Sequence, residues 1–285
     1  YPPGARRVSP CLVPMMSSNG AAASVSMRHG WRGPCETITT ACAAGTHSIA
    51  HAAMLVASGR CEVVLGGSAE AALTPTAIQG FINMTATSSS GRSCPFDAER
   101  DGFVIAEGAG VVLLEEWERA EARGATILAE VLGSASTADA HHITAPAPGG
   151  SGAVSCMELA LADAGVATSA VGQVNAHGTS TPLNDAAEAE AIAKVFGSPG
   201  PPVTSIKGVT GHSLGAAGAL EAVASVLSIQ RGLIPPTMGT QTIDPDIPGI
   251  DVVTGTYRAW EPAATLSNSF GFGGHNGCLV FGPPA

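Results

Sequence analysis

The sequence predicts a layered α/β fold, and three observations carry that expectation. Short β-branched or apolar runs alternate with alanine-rich helical stretches, the same order of elements recurs in both halves, and glycines bound the turns between them. In order, residues 36–40 (Glu-Thr-Ile-Thr-Thr) predict a strand. Residues 41–45 form a tight turn, and the alanine-rich segment to about residue 58 is a helix. A strand over 61–65 ends at Gly66-Gly67 and a loop follows; 110–114 is a further strand and 116–123 a helix. A new strand starts at 127–133, and the Pro-, Gly- and Thr-rich stretch 137–152 is the longest loop. The boundary between the halves falls near residue 126, giving 1–126 and 127–285. The second half continues with a helix over 153–164, a strand over 171–176, a polar loop over 177–184 and a helix over 185–196. A strand over 203–206 leads to an alanine-rich helix ending near 231, and strands near 265–269 and 277–281 close the chain.

Composition narrows the function. With 45% hydrophobic and 13% charged residues the chain has the makings of a folded core, not of a disordered segment. Thirteen Lys and Arg against 23 Asp and Glu leave a net charge of −10, which repels phosphate backbones and anionic bilayers, so neither nucleic acid nor a membrane is expected as a partner. No apolar run reaches the roughly 20 residues of a membrane helix, and residues 1–14 lack a signal peptide's charged-then-apolar order. The chain reads as cytoplasmic. Its seven cysteines are an odd number without CxxC spacing, which excludes a disulfide framework and a zinc knuckle and predicts reduced thiols. The start at Tyr1, not Met, predicts an absent upstream portion. Scarce Lys with abundant Ala, Gly and Arg is associated with GC-rich bacterial genomes.

Several residues stand where chemistry is done. Cys42 lies where a strand gives way to a helix, and a helix N-terminus lowers a thiol pKa; position alone leaves a nucleophile and a buried structural cysteine both open. His177 follows an apolar strand on a Gly-Thr loop, at the strand end where α/β folds keep their sites. His212 sits between glycines at the mouth of an alanine-rich helix. Singly, each histidine also suits a cap or a surface position; with Cys42 they form a set. Residues 268–276 (Asn-Ser-Phe-Gly-Phe-Gly-Gly-His-Asn) combine glycines and exposed amides that suit an oxyanion-binding turn or a tight hairpin. No histidine pair has metal-ligand spacing, and His141-His142 adjoin in a loop, so no metal is expected.

Five motifs, in one order, carry a resemblance: Thr40-Ala-Cys42-Ala-Ala-Gly45; Asp101-Gly-Phe103 with Glu107-Gly-Ala-Gly110; Asn175-Ala-His177-Gly-Thr-Ser-Thr-Pro182; Lys207-Gly-Val-Thr-Gly-His212 with Gly215-Ala-Ala-Gly218; and Asn268-Ser-Phe-Gly-Phe-Gly-Gly274. Together they resemble the β-ketoacyl synthases, condensing enzymes of fatty acid and polyketide synthesis. The last motif is most similar to discrete type II elongating synthases such as ketoacyl synthase II. The resemblance covers essentially the whole chain and implies a thiolase-like αβαβα fold whose N-terminal half is incomplete here. Ala43-Ala44 and His275 depart from residues common in elongating relatives. The alanines bear on local packing, and His275 adds a titratable group beside the glycine-rich turn.

Carried over residue by residue, the resemblance implies that Cys42 is acylated. His177 and His212 would polarise the malonyl thioester during decarboxylation, and the amides of Cys42 and Phe272 would hold the tetrahedral oxyanion, with the Phe272 ring as a gate. Lys207 and Glu221 would support the histidines. Thr179, Thr181, Phe270 and Gly273 would contact the substrate arm. Asp185 and Glu188, read from their own position on the next helix, are structural residues suited to capping it. The implied partners are acyl carrier protein, acyl and malonyl thioesters, and a second subunit: a homodimer through the strand leading into Cys42, or a heterodimer with a related chain. No bound cofactor is implied, the phosphopantetheine being carried by the acyl carrier protein. Arg6, Arg7, Arg28, Arg32, Arg92 and Arg123 are candidates for a local basic patch against that acidic partner. Two other readings remain: a thiolase-like acyltransferase using coenzyme A esters, which a Cys-His-Cys set would favour over this Cys-His-His set, and a noncatalytic partner subunit, which typically lacks the cysteine.

Overall fold

The computed structural model describes residues 8–284, so Arg6 and Arg7 lie outside the described residues. The chain divides into two compact units, Tyr1–Thr39 and Thr40–Ala285, and the position near 126 falls inside the second. The first contains two helices, α1 (Leu12–Met16) and α2 (Gly20–His29). An alanine run supports α2. Gly30, with φ 67°, ends it by donating its N–H to Ser26 O. Arg28 and Arg32 are exposed on this unit.

The second unit contains α3 (Ala44–Ala57), β1 (Val63–Glu70), α4 (Pro75–Asn83), β2 (Gly108–Glu115), α5 (Trp117–Ala122) and β3 (Glu130–Ala138). After these come α6 (Ser151–Ala164), β4 (Val171–Asn175), α7 (Pro182–Phe196), β5 (Val203–Thr204), α8 (Lys207–Thr210) and α9 (Ala217–Arg231). It closes with β6 (Leu233–Ile234), β7 (Arg258–Ala259), β8 (Ala264–Gly271) and β9 (His275–Gly282). A mixed five-stranded sheet has the order β3-β9-β8-β4-β5, with β4 parallel to β5 and β8, and β9 antiparallel to β8 and β3. β1 and β2 form a separate antiparallel pair.

Four layers result. α3 and α9 lie between the β1–β2 pair and the five-stranded sheet, and α6 and α7 cover that sheet's other face. The pleat of β9 shows why: Leu279 and Phe281 join Ile49, Ala222 and Ile229 of the central helices, while Cys278 and Val280 join Met157, Leu161 and Ile192 of α6 and α7. The central helices are rich in alanine and each carries one glycine near its start, because they touch. A Cβ on Gly218 would fall 2.3 Å from Thr46 Oγ1 and 2.6 Å from Thr46 N. Gly218→Ala should therefore force the two helices apart and cost about 1–3 kcal/mol, read as a lower denaturation midpoint at unchanged slope.

Two expectations need correction. Residues 36–39 form no strand despite their β-branched composition, because such a composition favours extended backbone but cannot itself supply a ladder partner; Thr40 and Cys42 form only an isolated bridge. The strand expected to end at Gly66-Gly67 continues to Glu70. Those glycines belong to the pairing: a Cβ on Gly67 would lie 2.2 Å from Gly110 O of β2.

Candidate active site

The C-terminal end of β4, the turn before α3, the segment between α8 and α9 and the β8–β9 turn converge on one cleft of about 380 Å³. Cys42, His177, His212, Thr179, Thr181 and Phe270 line it, and Phe272 of the turn contributes to the wall. Gly273 does not line it: the residue is exposed, with φ 90°, and its N–H is taken by Ile143 O at 2.7 Å.

Ala41 adopts a left-handed backbone (φ 50°), uncommon for a residue with a side chain, and this reverses the chain sharply just before α3. Cys42 is thereby held at 9% exposure with its sulfur 3.2 Å from His212 Nε2. The backbone N–H groups of Phe272 and of Cys42 itself also act on the sulfur. The helix terminus does not make a free thiolate: burial pushes the thiol up to about 11, only partly offset by Lys207 and the two amides.

His177 and His212 pack edge to face, with ring centres 5.3 Å apart. Phe270 stands against His177 and Phe103 against His212. Burial, and next the Lys207 charge, hold both imidazoles well below their usual pKa, so they are neutral near pH 7. Lys207 is itself 1% exposed and pairs with the equally buried Glu221. Its ammonium donates to His177 O at 2.6 Å and stands 3.3 Å from His177 Nδ1. An ammonium only donates, so His177 Nδ1 accepts and its proton is on Nε2. His212 Nδ1, in contrast, is buried without a partner among the described residues, so nothing fixes its tautomer.

Thr179 and Thr181 share a hydroxyl contact at 2.9 Å, and Thr181, not Asp185 or Glu188, caps α7 through Asn184 N. Asp185 accepts Phe96 N at 2.8 Å. Glu188 turns back to the histidine loop, accepting His177 N at 2.8 Å and Gly178 N at 2.7 Å. Its position was legible as a second acid, three residues from Asp185 on an alanine-rich helix. Burial raises Glu188 to about 7, against the pull of those amides. A raised folded pKa means stability fully present below the ordinary 4.5 and lost as pH climbs through 7. Wild type should thus lose about 2–3 kcal/mol relative to Glu188→Gln between about pH 5 and pH 8, measured by denaturation at each pH.

Of the arginines considered for a basic patch, Arg92 pairs with Glu99 and Arg123 with Glu115. All seven cysteines are free thiols.

Residues 1–120 match the family described as "Beta-ketoacyl synthase, N-terminal domain", and residues 128–241 match "Beta-ketoacyl synthase, C-terminal domain". A 3-oxoacyl-[acyl-carrier-protein] synthase 2 from Vibrio cholerae is 44% identical over 287 residues, covering 98% of this chain and 69% of that relative. The protein of the same name from Synechocystis sp. is 45% identical over 285 residues, covering 98% and 68%. Among solved structures, a type II PKS acyl-carrier protein in complex with its ketosynthase bound to the hexaketide superposes with a TM-score of 0.95. It is 36% identical and covers 99% of this chain and 71% of that one. The ishigamide ketosynthase/chain length factor gives 0.94 at 36% identity, with 98% and 68% covered. On the family match and these identities, the chain belongs to the β-ketoacyl synthase family and has its thiolase-like fold.

Proposed function

We propose that the chain catalyses decarboxylative Claisen condensation of an acyl group with malonyl-acyl carrier protein, in fatty acid or polyketide synthesis. The observation that carries this reading is the Cys42, His212 and His177 set buried together at the cleft. It is supported by the relatives named 3-oxoacyl-[acyl-carrier-protein] synthase 2.

A thiol raised to about 11 cannot wait as a thiolate, so its proton leaves as the sulfur attacks, and His212 Nε2 is the group in reach. Cys42 gains the acyl group and the first carrier leaves as a free thiol carrying that proton. The malonyl thioester then loses carbon dioxide. The electron pair of the broken C–C bond moves to the thioester oxygen as an enolate, toward which His177 Nε2–H and His212 donate. The enolate carbon attacks acyl-Cys42, and the amides of Cys42 and Phe272 receive the oxyanion. Collapse expels the Cys42 sulfur as a thiolate, which takes a proton from solvent water, and releases β-ketoacyl-acyl carrier protein. Thr179 and Thr181 face the arm of the thioester, Phe270 backs His177, and Phe272 gates entry of the malonyl group. No resident cofactor is called for, because the thioester and the loss of carbon dioxide provide the driving force and the phosphopantetheine belongs to the carrier.

We further infer a homodimer acting in the cytoplasm, where the Cys42 thiol stays reduced. Among the described residues no helix is long and apolar enough to cross a membrane. Light scattering reads the oligomeric state. The reaction is tested by intact mass and peptide mapping after incubation with acyl-carrier-protein thioesters, beside Cys42→Ala. Acylation confined to Cys42 is expected; a folded chain that takes no acyl group would favour a noncatalytic subunit.

A further inference from the structure

The two amides that face the Cys42 sulfur come from distant parts of the sequence, one from the turn before α3 and one from the turn between β8 and β9. Their separation has to be held to a fraction of an ångström for both to bond one oxygen. His47, in the first turns of α3, touches both supports. Its Nδ1 lies 2.7 Å from Thr40 Oγ1, two residues before Cys42, and its Nε2 lies 3.1 Å from Asn276 O, at the start of β9. We infer that His47 is a positioning residue that sets the spacing of the Cys42 and Phe272 amides, a role that rests on the condensing reading above.

The chemistry of the ring suits a fixed spacer. Asn276 O can only accept, so Nε2 carries the proton, and Nδ1 accepts from the Thr40 hydroxyl. The neutral ring satisfies both ends at once, and at 8% exposure it is shielded from water. Two glycines leave room for this arrangement. A Cβ on Gly277 would fall 2.9 Å from His47 Nε2, and one on Gly271 would fall 2.7 Å from Thr40 O and 3.1 Å from Cys42 N. Thr46, one residue earlier, also fastens α3 to the sheet through Ser269 Oγ at 2.7 Å. That bond reaches nothing before Cys42, and among the described residues His47 is the side chain that engages the Thr40 hydroxyl.

The test compares two rates at Cys42 on the full chain. Alkylation by iodoacetamide is a displacement at carbon that forms no oxyanion, whereas acylation by a saturated acyl thioester of acyl carrier protein, tried at short, medium and long chain length, does. His47→Leu and the near-isosteric Thr40→Val should slow acylation by about tenfold to a hundredfold, the cost of misplacing a reacting geometry. Both should slow alkylation far less than acylation, because the amides are only a minor part of what sets the thiolate fraction, and Thr40→Ser should restore acylation. Unchanged acylation in both variants, or acylation and alkylation falling in parallel, would overturn the positioning role. A wild-type chain that is alkylated but never acylated removes the condensing reading, and this role with it.

Discussion

Lys207→Met is expected to lower condensation by about a hundredfold or more and to destabilise the chain by about 3–5 kcal/mol. The large stability cost comes from the carboxylate left behind. Glu221 is 1% exposed, burial already raises its pKa, and Lys207 is the largest force opposing that rise. Without the ammonium it must either stay ionised without compensation or take up a proton. The catalytic cost has a separate origin. Lys207 donates to His177 O and stands at His177 Nδ1, so its removal frees the ring to carry its proton on the wrong nitrogen. The double variant Lys207→Met with Glu221→Leu separates the two effects. Replacing a buried pair with apolar residues of similar volume is often neutral, so stability should largely return while turnover stays low. Urea denaturation and carbon dioxide release from malonyl-acyl carrier protein measure the two. Full recovery of turnover in the double variant would show that Lys207 acts only on the fold.

What could be read along the chain was local. His177 follows a strand, His212 follows a short helix, each has a glycine beside it, and Cys42 lies just before a helix; each of these signals lies within a few residues of the side chain it marks. The alternation of strand and helix located the sheet for the same reason, since period and turn residues are local properties. What escaped depended on contacts across the fold. The β-branched run at 36–39 forms no strand, since composition favours extended backbone without supplying a ladder partner. The helix terminus at Cys42 argued for a lowered thiol pKa, and burial by the converging layers reversed the sign. Glu188 looked like a helix cap until the fold set its carboxylate against the amides of residues 177 and 178. His47 carries no local signal, because its second partner, Asn276, lies 229 residues away.

His177→Ala should leave Cys42 able to take an acyl group while slowing decarboxylation by about a hundredfold to a thousandfold, the range for removing one donor from a developing oxyanion. The split follows from distances. The His212 Nε2 atom lies 3.2 Å from the sulfur, so it serves the thiol proton, whereas His177 lines the cleft beside the His212 ring with no hydrogen bond to the sulfur among the described residues. Acyl-Cys42 should therefore accumulate in intact-mass spectra of His177→Ala, and His212→Ala should lose acylation and decarboxylation together. Equal loss of acylation in the two variants would contradict this division. The pH profile gives an independent check. Both histidines are held well below 6.5, so the neutral forms persist across the neutral range and the acid limb of wild-type decarboxylation should fall below that value. The Lys207 charge contributes to both depressions, so in Lys207→Met the acid limb should move to higher pH, even though the rate on the plateau is lower. A limb that stays in place would mean that burial alone keeps the two rings neutral.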